Sequence, residues 1–576
     1  MGERITAVTI VGGGTAGWLT ALILTTAFRT QAKDGGGNSE ARKVTLIESP
    51  NVSTVGVGEA TVPAMPRLLQ QMGIPEQDFF KHCNASFKLG VLFDNWNVDK
   101  NGKRIAYINS FNEAPVIGGV DAAHYFLKYG AGGQDFSRVV SPALDLGLAL
   151  KGPRPLDAKP FTQGAGFAYH LDAGRFAELL SEVCVARGVE HIRDDVEDIE
   201  TDERGFITAL TLKQRGAHPV ELVIDCTGFR GFLINKALGE PFVDYSRYLA
   251  NDRAAAVQIP HPDPERIEPL TRSTALGAGW VWRVPLYSRV GTGYVFSSAH
   301  RSDDEAGAEL LEHLAPQLGA AAKDATPRFI PMRVGRTRRP WVKNCVAIGL
   351  SSGFIEPLES TAIYMIEMSA RWLLAYFPDK DFAEPTRARY NTIATQLYDE
   401  VRDFICLHYA LGNRTDSQYW IDAREDLEVP DSLAANLDLW KHAVPTRYDL
   451  TFSSLFSYRV YHAVMLGKQV YETGYAAPPR DGGVVLRPAP WRDYVKQTRR
   501  AIDAAVKALP DHRTLLATIR GEGAAVSGKT ASGPKLPAKP HLPSAQFQMP
   551  TVPLPGQAAP LTPVITTKTK KTGRGG

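Results

Sequence analysis

The chain has 576 residues, a formal net charge of +3 and five scattered cysteines. That length buries a large core and spans more than one domain-sized unit, and the small charge, without a massed basic block in the main body, argues against a nucleic-acid partner. Cysteines that are odd in number and lack CxxC spacing argue against a disulfide framework and against a structural metal site.

The chain enters a strand-like run at residues 5–11 without a signal-peptide pattern, and no apolar stretch is long enough to span a membrane. A soluble, cytoplasmic protein is expected. Residues 8–11 read as a buried strand, and Gly12-Gly13-Gly14-Thr15-Ala16-Gly17 as a glycine-rich turn. Residues 18–28 then have helical apolar spacing. Gly12 permits the tight turn, Gly14 lets a pyrophosphate approach the helix N-terminus, and Gly17 lets helix and strand pack closely. A second strand ends in Glu48, where an acid suits a ribose hydroxyl pair. The gap before it exceeds the usual ~20 residues, which the polar insert at residues 33–39 explains.

Lys88 stands inside the apolar run Phe87-Lys88-Leu89-Gly90-Val91-Leu92-Phe93, read as one buried strand. Burying an ammonium group is costly unless it is paired or loses its proton. Either one strand face meets solvent, or the side chain snorkels from a partly covered edge, or the amine is held for chemistry. Further on, residues 221–228 and 345–350 read as strands that enter loops. Strands returning to the first unit over such distances suit a discontinuous FAD fold, whereas a compact NAD domain would be contiguous. Residues 523–576 are rich in Pro, Ala, Thr and Lys and read as a disordered tail with polyproline character.

Five strings carry a resemblance: residues 12–18 (GGGTAGW), 56–63 (GVGEATVP), 279–286 (GWVWRVPL, a WxWxxP pattern), 353–361 (GFIEPLEST) and 403–420 (DFICLHYALGNRTDSQYW). Together they resemble the flavin-dependent halogenases of the tryptophan halogenase family, over about residues 6–466. The resemblance implies an α/β fold: a discontinuous, glutathione-reductase-like FAD-binding unit with a mixed sheet, over residues 1–440. A mostly helical substrate-side region over 441–521 and the tail from 522 complete it.

The resemblance also implies the chemistry. Reduced FAD, supplied by a separate NAD(P)H-dependent flavin reductase, and O2 oxidise chloride or bromide to hypohalous acid. Lys88 holds that oxidant, by hydrogen bond or as a haloamine, against a small aromatic substrate. Glu359 polarises the oxidant or takes the ring proton. Carried over by motif, the flavin contacts are Gly12, Gly14, Thr15, Ala16, Gly17, Glu48, Ser49, Val52, Val55, Ala60, Val196, Leu350 and Ile363. The backbone amides of Thr361 and Ala362 hold the halide; many family members have glycine where Ala362 stands, and a required positive φ would shift that site. Ser360 holds the substrate-side loop or relays a hydrogen bond. Phe111 stacks on the substrate, and Asn109 stands where tryptophan-specific members have histidine. The WxWxxP tryptophans shield flavin from substrate or are core aromatics. A hydroxylating flavin monooxygenase and a non-catalytic flavin-binding scaffold are the alternatives, and a homodimer stays open.

Overall fold

The structure is a computed structural model and describes residues 2–34, 42–52, 58–318, 325–473 and 486–522. Val55, Gly56 and Val57, residues 35–41 of the insert region and the tail from 523 lie outside the described residues.

In chain order, the elements that position the site are β1 (Ala7–Val11), α1 (Thr15–Asp34), β2 (Lys43–Glu48), β3 (Gly58–Ala60), β4 (Ser86–Lys88), β5 (Gly90–Val98) and β6 (Arg104–Ser110). The helices α2 (Ala122–Tyr129) and α3 (Phe136–Val140) follow, then β7 (Ala168–Asp172), β8 (Glu190–Arg193) and β9 (Leu222–Asp225). Next come β10 (Arg253–Ile259), β11 (Thr271–Ala275), β12 (Gly279–Pro285), β13 (Val290–Phe296), β14 (Arg328–Pro331), β15 (Trp341–Val342) and β16 (Cys345–Ala347). The chain then becomes helical, with α4 (Ala362–Ala375), α5 (Glu384–Ala410), α6 (Tyr458–Gly467) and α7 (Val470–Thr473).

The first sheet has the order β8-β2-β1-β9-β16-β15. Its first five strands run parallel and β15 closes the edge antiparallel. Strands from residue 7 to residue 347 therefore build one mixed sheet, the discontinuity expected from the returning strands. The second sheet has the order β14-β10-β13-β12-β11-β5-β6 and ends on β6 as a free edge. A small third sheet, β3-β7-β4, carries Lys88. One apolar cluster takes in side chains of both large sheets and of α5.

The run 87–93 is not one strand. Phe87 and Lys88 pair with Tyr169 and Ala168 in the third sheet, whereas Val91 and Phe93 pair with Asn109 and Tyr107 in the second. The chain changes sheets at Leu89, whose amide donates to the Pro269 carbonyl at 2.8 Å. Gly90 then admits the neighbouring strand: a Cβ there would lie 2.6 Å from the Asn109 carbonyl oxygen. α1 also runs further than the apolar spacing indicates, so Lys33 and Asp34 of the insert end that helix.

Candidate active site

The glycine-rich turn is shaped for a dinucleotide. Gly12 has φ 120°, a region open to glycine. A Cβ on Gly17 would lie 1.9 Å from the Gly12 carbonyl oxygen, so only glycine lets α1 close onto the turn. Gly14 differs: a Cβ there would meet nothing within 4 Å, and the residue is exposed. Open space therefore lies over the first turn of α1, where backbone amides favour an anion. Glu48 ends β2 against Gly13 and pairs with His191 at 2.8 Å. Ser49 donates to Asp195 at 2.5 Å, one residue before Val196. Val52 is 65% and Leu350 37% exposed. Thr15, Ala16 and Ala60 are half-buried, and Ile363 belongs to the core. An open turn, a terminal acid and uncovered apolar rims fit a flavin dinucleotide.

Lys88 is fully buried, which excludes snorkelling. Its Nζ donates to the Thr61 carbonyl at 3.0 Å and to Ser360 Oγ at 2.9 Å, and lies 5.2 Å from the centre of the Phe111 ring. Burial lowers its pKa to about 7, against an upward pull from Glu359. An ammonium group has three donors and an amine has two donors and a lone pair. Two bonds are in place, so either form keeps one position open.

Glu359 ends the short 3-10 turn Pro357–Glu359 and is buried. Asn109 Nδ2 donates to both of its oxygens at 3.1 Å. His408 Nε2 stands 3.2 Å from Oε1, off the line of a well-formed hydrogen bond. The other ring nitrogen of His408 meets the Tyr107 hydroxyl at 2.8 Å, and the ring stacks on Phe93 at 4.7 Å. Burial lowers the His408 pKa, with Glu359 opposing, which disfavours the imidazolium form. Asn109, expected to face the substrate in place of histidine, gives its amide N–H to Glu359. His408 carried no assignment, although it lies in the string 403–420. The signal that could have found it is a histidine in a run of buried apolar residues on α5.

Ser360 has φ 60° and ψ 41°, the left-handed region, and Thr361 leads directly into α4. Ala362 is the first helical residue and is absent from the positive-φ positions, so replacing glycine imposes no strain there. It is also exposed, between buried Thr361 and buried Ile363. Of the WxWxxP pair, Trp280 is a core aromatic: it donates to Glu356 Oε2 at 2.7 Å, which also receives Asn251 at 2.8 Å and Tyr409 at 2.9 Å. Trp282 packs over Gly293, where a Cβ would lie 2.2 Å from its ring.

The tryptophan halogenase family model matches residues 7–478. The 7-chloro-L-tryptophan 6-halogenase of Kutzneria sp. (strain 744) is 36% identical over 539 residues, covering 89% of this chain and 99% of the relative. The crystal structure of a tryptophan halogenase from Shewanella frigidimarina has a TM-score of 0.83 at 35% identity, over 90% of this chain and 98% of that one. A flavin-dependent halogenase from Brevundimonas sp. BAL3 has a TM-score of 0.76 at 37% identity, over 89% of this chain and 99% of that one. A hydroxylase or a non-catalytic scaffold is not favoured by these matches. Among the described residues, no helix is long and apolar enough to cross a membrane. The chain belongs to the tryptophan halogenase family, and it is a flavin-dependent halogenase that uses FAD and a halide.

Proposed function

We propose that this protein halogenates an indole, tryptophan or a close relative, with chloride or bromide, and that Lys88 and Glu359 carry the reaction. The observation behind this reading is a buried amine with one open position, hydrogen-bonded to the residue next to a buried carboxylate. The Kutzneria relative bears the name of a chlorotryptophan halogenase, which supports an indole substrate.

The glycine turn, Glu48, Ser49, Val52, Ala60, Val196 and Leu350 hold the flavin in this reading. Reduced FAD bound there supplies, with O2, the oxidising power that turns halide into hypohalous acid. A separate NAD(P)H-dependent reductase delivers it, because the sequence carries a single dinucleotide fingerprint. The Thr361 and Ala362 amides hold halide at the N-terminus of α4, where no side chain caps the helix.

Lys88 directs its open position at the oxidant, while Thr61 and Ser360 fix the amine. Desolvation raises the strength of that contact. Phe111 offers a face for the aromatic ring. The ring carbon attacks the halogen as the oxygen–halogen bond breaks, and the departing hydroxide takes a proton from the Lys88 ammonium and leaves as water; Glu359, oriented by Asn109, stabilises the cationic ring and accepts its proton. Purified protein with a flavin reductase, NADH, bromide and an indole panel tests this. Halogenated product is expected from the wild type and none from Lys88→Ala; equal product from both overturns the assignment.

A further inference from the structure

A cavity of about 540 Å³ opens beside the edge strand β6, next to the halogenation site but outside it. Tyr107 is shared between the two: the residue lines the cavity, while its hydroxyl bonds His408 next to Glu359. The volume falls in the ~300–1,000 Å³ range of small-ligand pockets. The remaining walls come from α2, the loop after it, α3 and residues 466–472. Gly467 lets this last segment lie on Tyr107, since a Cβ there would be 2.6 Å from the Tyr107 Cβ.

The chemistry of the walls is specific. Phe126 and Phe136 meet edge to face at 5.2 Å, a surface suited to an aromatic ring. Gln134 Oε1 is buried in the wall without a hydrogen-bond partner, an acceptor that needs an N–H donor. Asp135 and Glu472 stand exposed at the mouth, and neither makes a side-chain hydrogen bond or ion pair with a described residue. Among the described residues, no Lys, Arg or His lines the cavity. The one lysine of 466–472, Lys468, turns inward: it is fully buried, donates to Asn97 Oδ1 and lies 5.4 Å from the Tyr107 ring centre.

We propose that this cavity binds an aromatic amine cation, an aryl-alkylammonium without a carboxylate. The phenyl faces take the ring, Gln134 takes an N–H, and the two carboxylates attract the ammonium group while repelling a carboxylate. Binding needs neither flavin nor Lys88, so it stands or falls independently of the halogenation reading.

Calorimetric titration of the full chain with tryptamine, indole and indole-3-acetate tests this in wild type and in Lys88→Ala. Tryptamine should bind at least tenfold more tightly than indole-3-acetate in both proteins at low salt. The paired variant Asp135→Asn/Glu472→Gln keeps the side-chain shapes and should lose that preference. Ser137→Trp, which fills the cavity, should lose tryptamine binding. Equal binding of tryptamine and indole-3-acetate, a preference that survives the paired variant, or tryptamine binding untouched by Ser137→Trp would each overturn the proposal.

Discussion

Lys88 Nζ and Ser360 Oγ lie 2.9 Å apart, and Ser360 is held in the left-handed region. A non-glycine residue there costs about 1–3 kcal/mol, which the surrounding packing must sustain. The turn thus places a carboxylate, a hydroxyl and the first amides of α4 in successive residues, 359 to 362. Ser360→Ala removes the acceptor while keeping the backbone preference. It should lower kcat about fivefold, of the order expected for one ~1 kcal/mol hydrogen bond; an unchanged kcat would remove Ser360 from the site.

Lys88→Met should make the protein more stable at pH 6.5 than the wild type. The folded pKa of about 7 lies below the ordinary value of 10.5. Between those values the folded state holds fewer protons than the unfolded one, so wild-type stability rises with pH. The penalty is complete below about pH 7 and fades toward pH 10.5. Its slope is at most about 1.4 kcal/mol per pH unit. Urea midpoints at pH 6.5 and 9.5 measure it, and an advantage of the variant that grows with pH contradicts a buried, desolvated amine.

Glu359→Gln should lower kcat about 100-fold, in the range for losing a positioned base, with flavin binding intact. Asn109→Asp tests the same contact from the other side. It replaces a donor to both Glu359 oxygens by a like charge and should drive halogenation down at least as far. Single-turnover product yield reads both variants.

Tyr107→Phe leaves one ring nitrogen of buried His408 without its 2.8 Å partner. A loss of about 1–3 kcal/mol in stability is expected. If His408 only packs, kcat stays level; if it orients Glu359, kcat falls and KM does not. Steady-state kinetics separates the two.

Gly14→Ala and Gly17→Ala should fail differently. The first adds a methyl group to open space, so the protein keeps its melting temperature and loses FAD affinity. The second drives a Cβ to 1.9 Å from the Gly12 carbonyl oxygen and destabilises the fold itself. Thermal unfolding with and without FAD tells them apart, and equal melting temperatures for both variants would contradict the packing of α1 on the turn.

Local pattern carried much of the first unit: strand, glycine turn, helix and terminal acid are contiguous enough for spacing to reveal them. The returning strands were legible for the same reason, since a buried parallel strand reads as a short apolar run. The division of residues 87–93 between two sheets was not, because both halves are equally apolar and only Gly90 marks the change.

By itself, the sequence determined that a dinucleotide unit is built from distant strands and that a lysine sits among apolar residues. Which groups meet was decided by tertiary structure. Asn109 reaches Glu359 across 250 residues, and Tyr107 reaches His408 across 301. No periodicity records such distances. Burial lowers the Lys88 pKa to about 7 and the His408 pKa below its ordinary value, because desolvation acts only once the sheets and α5 have closed around them.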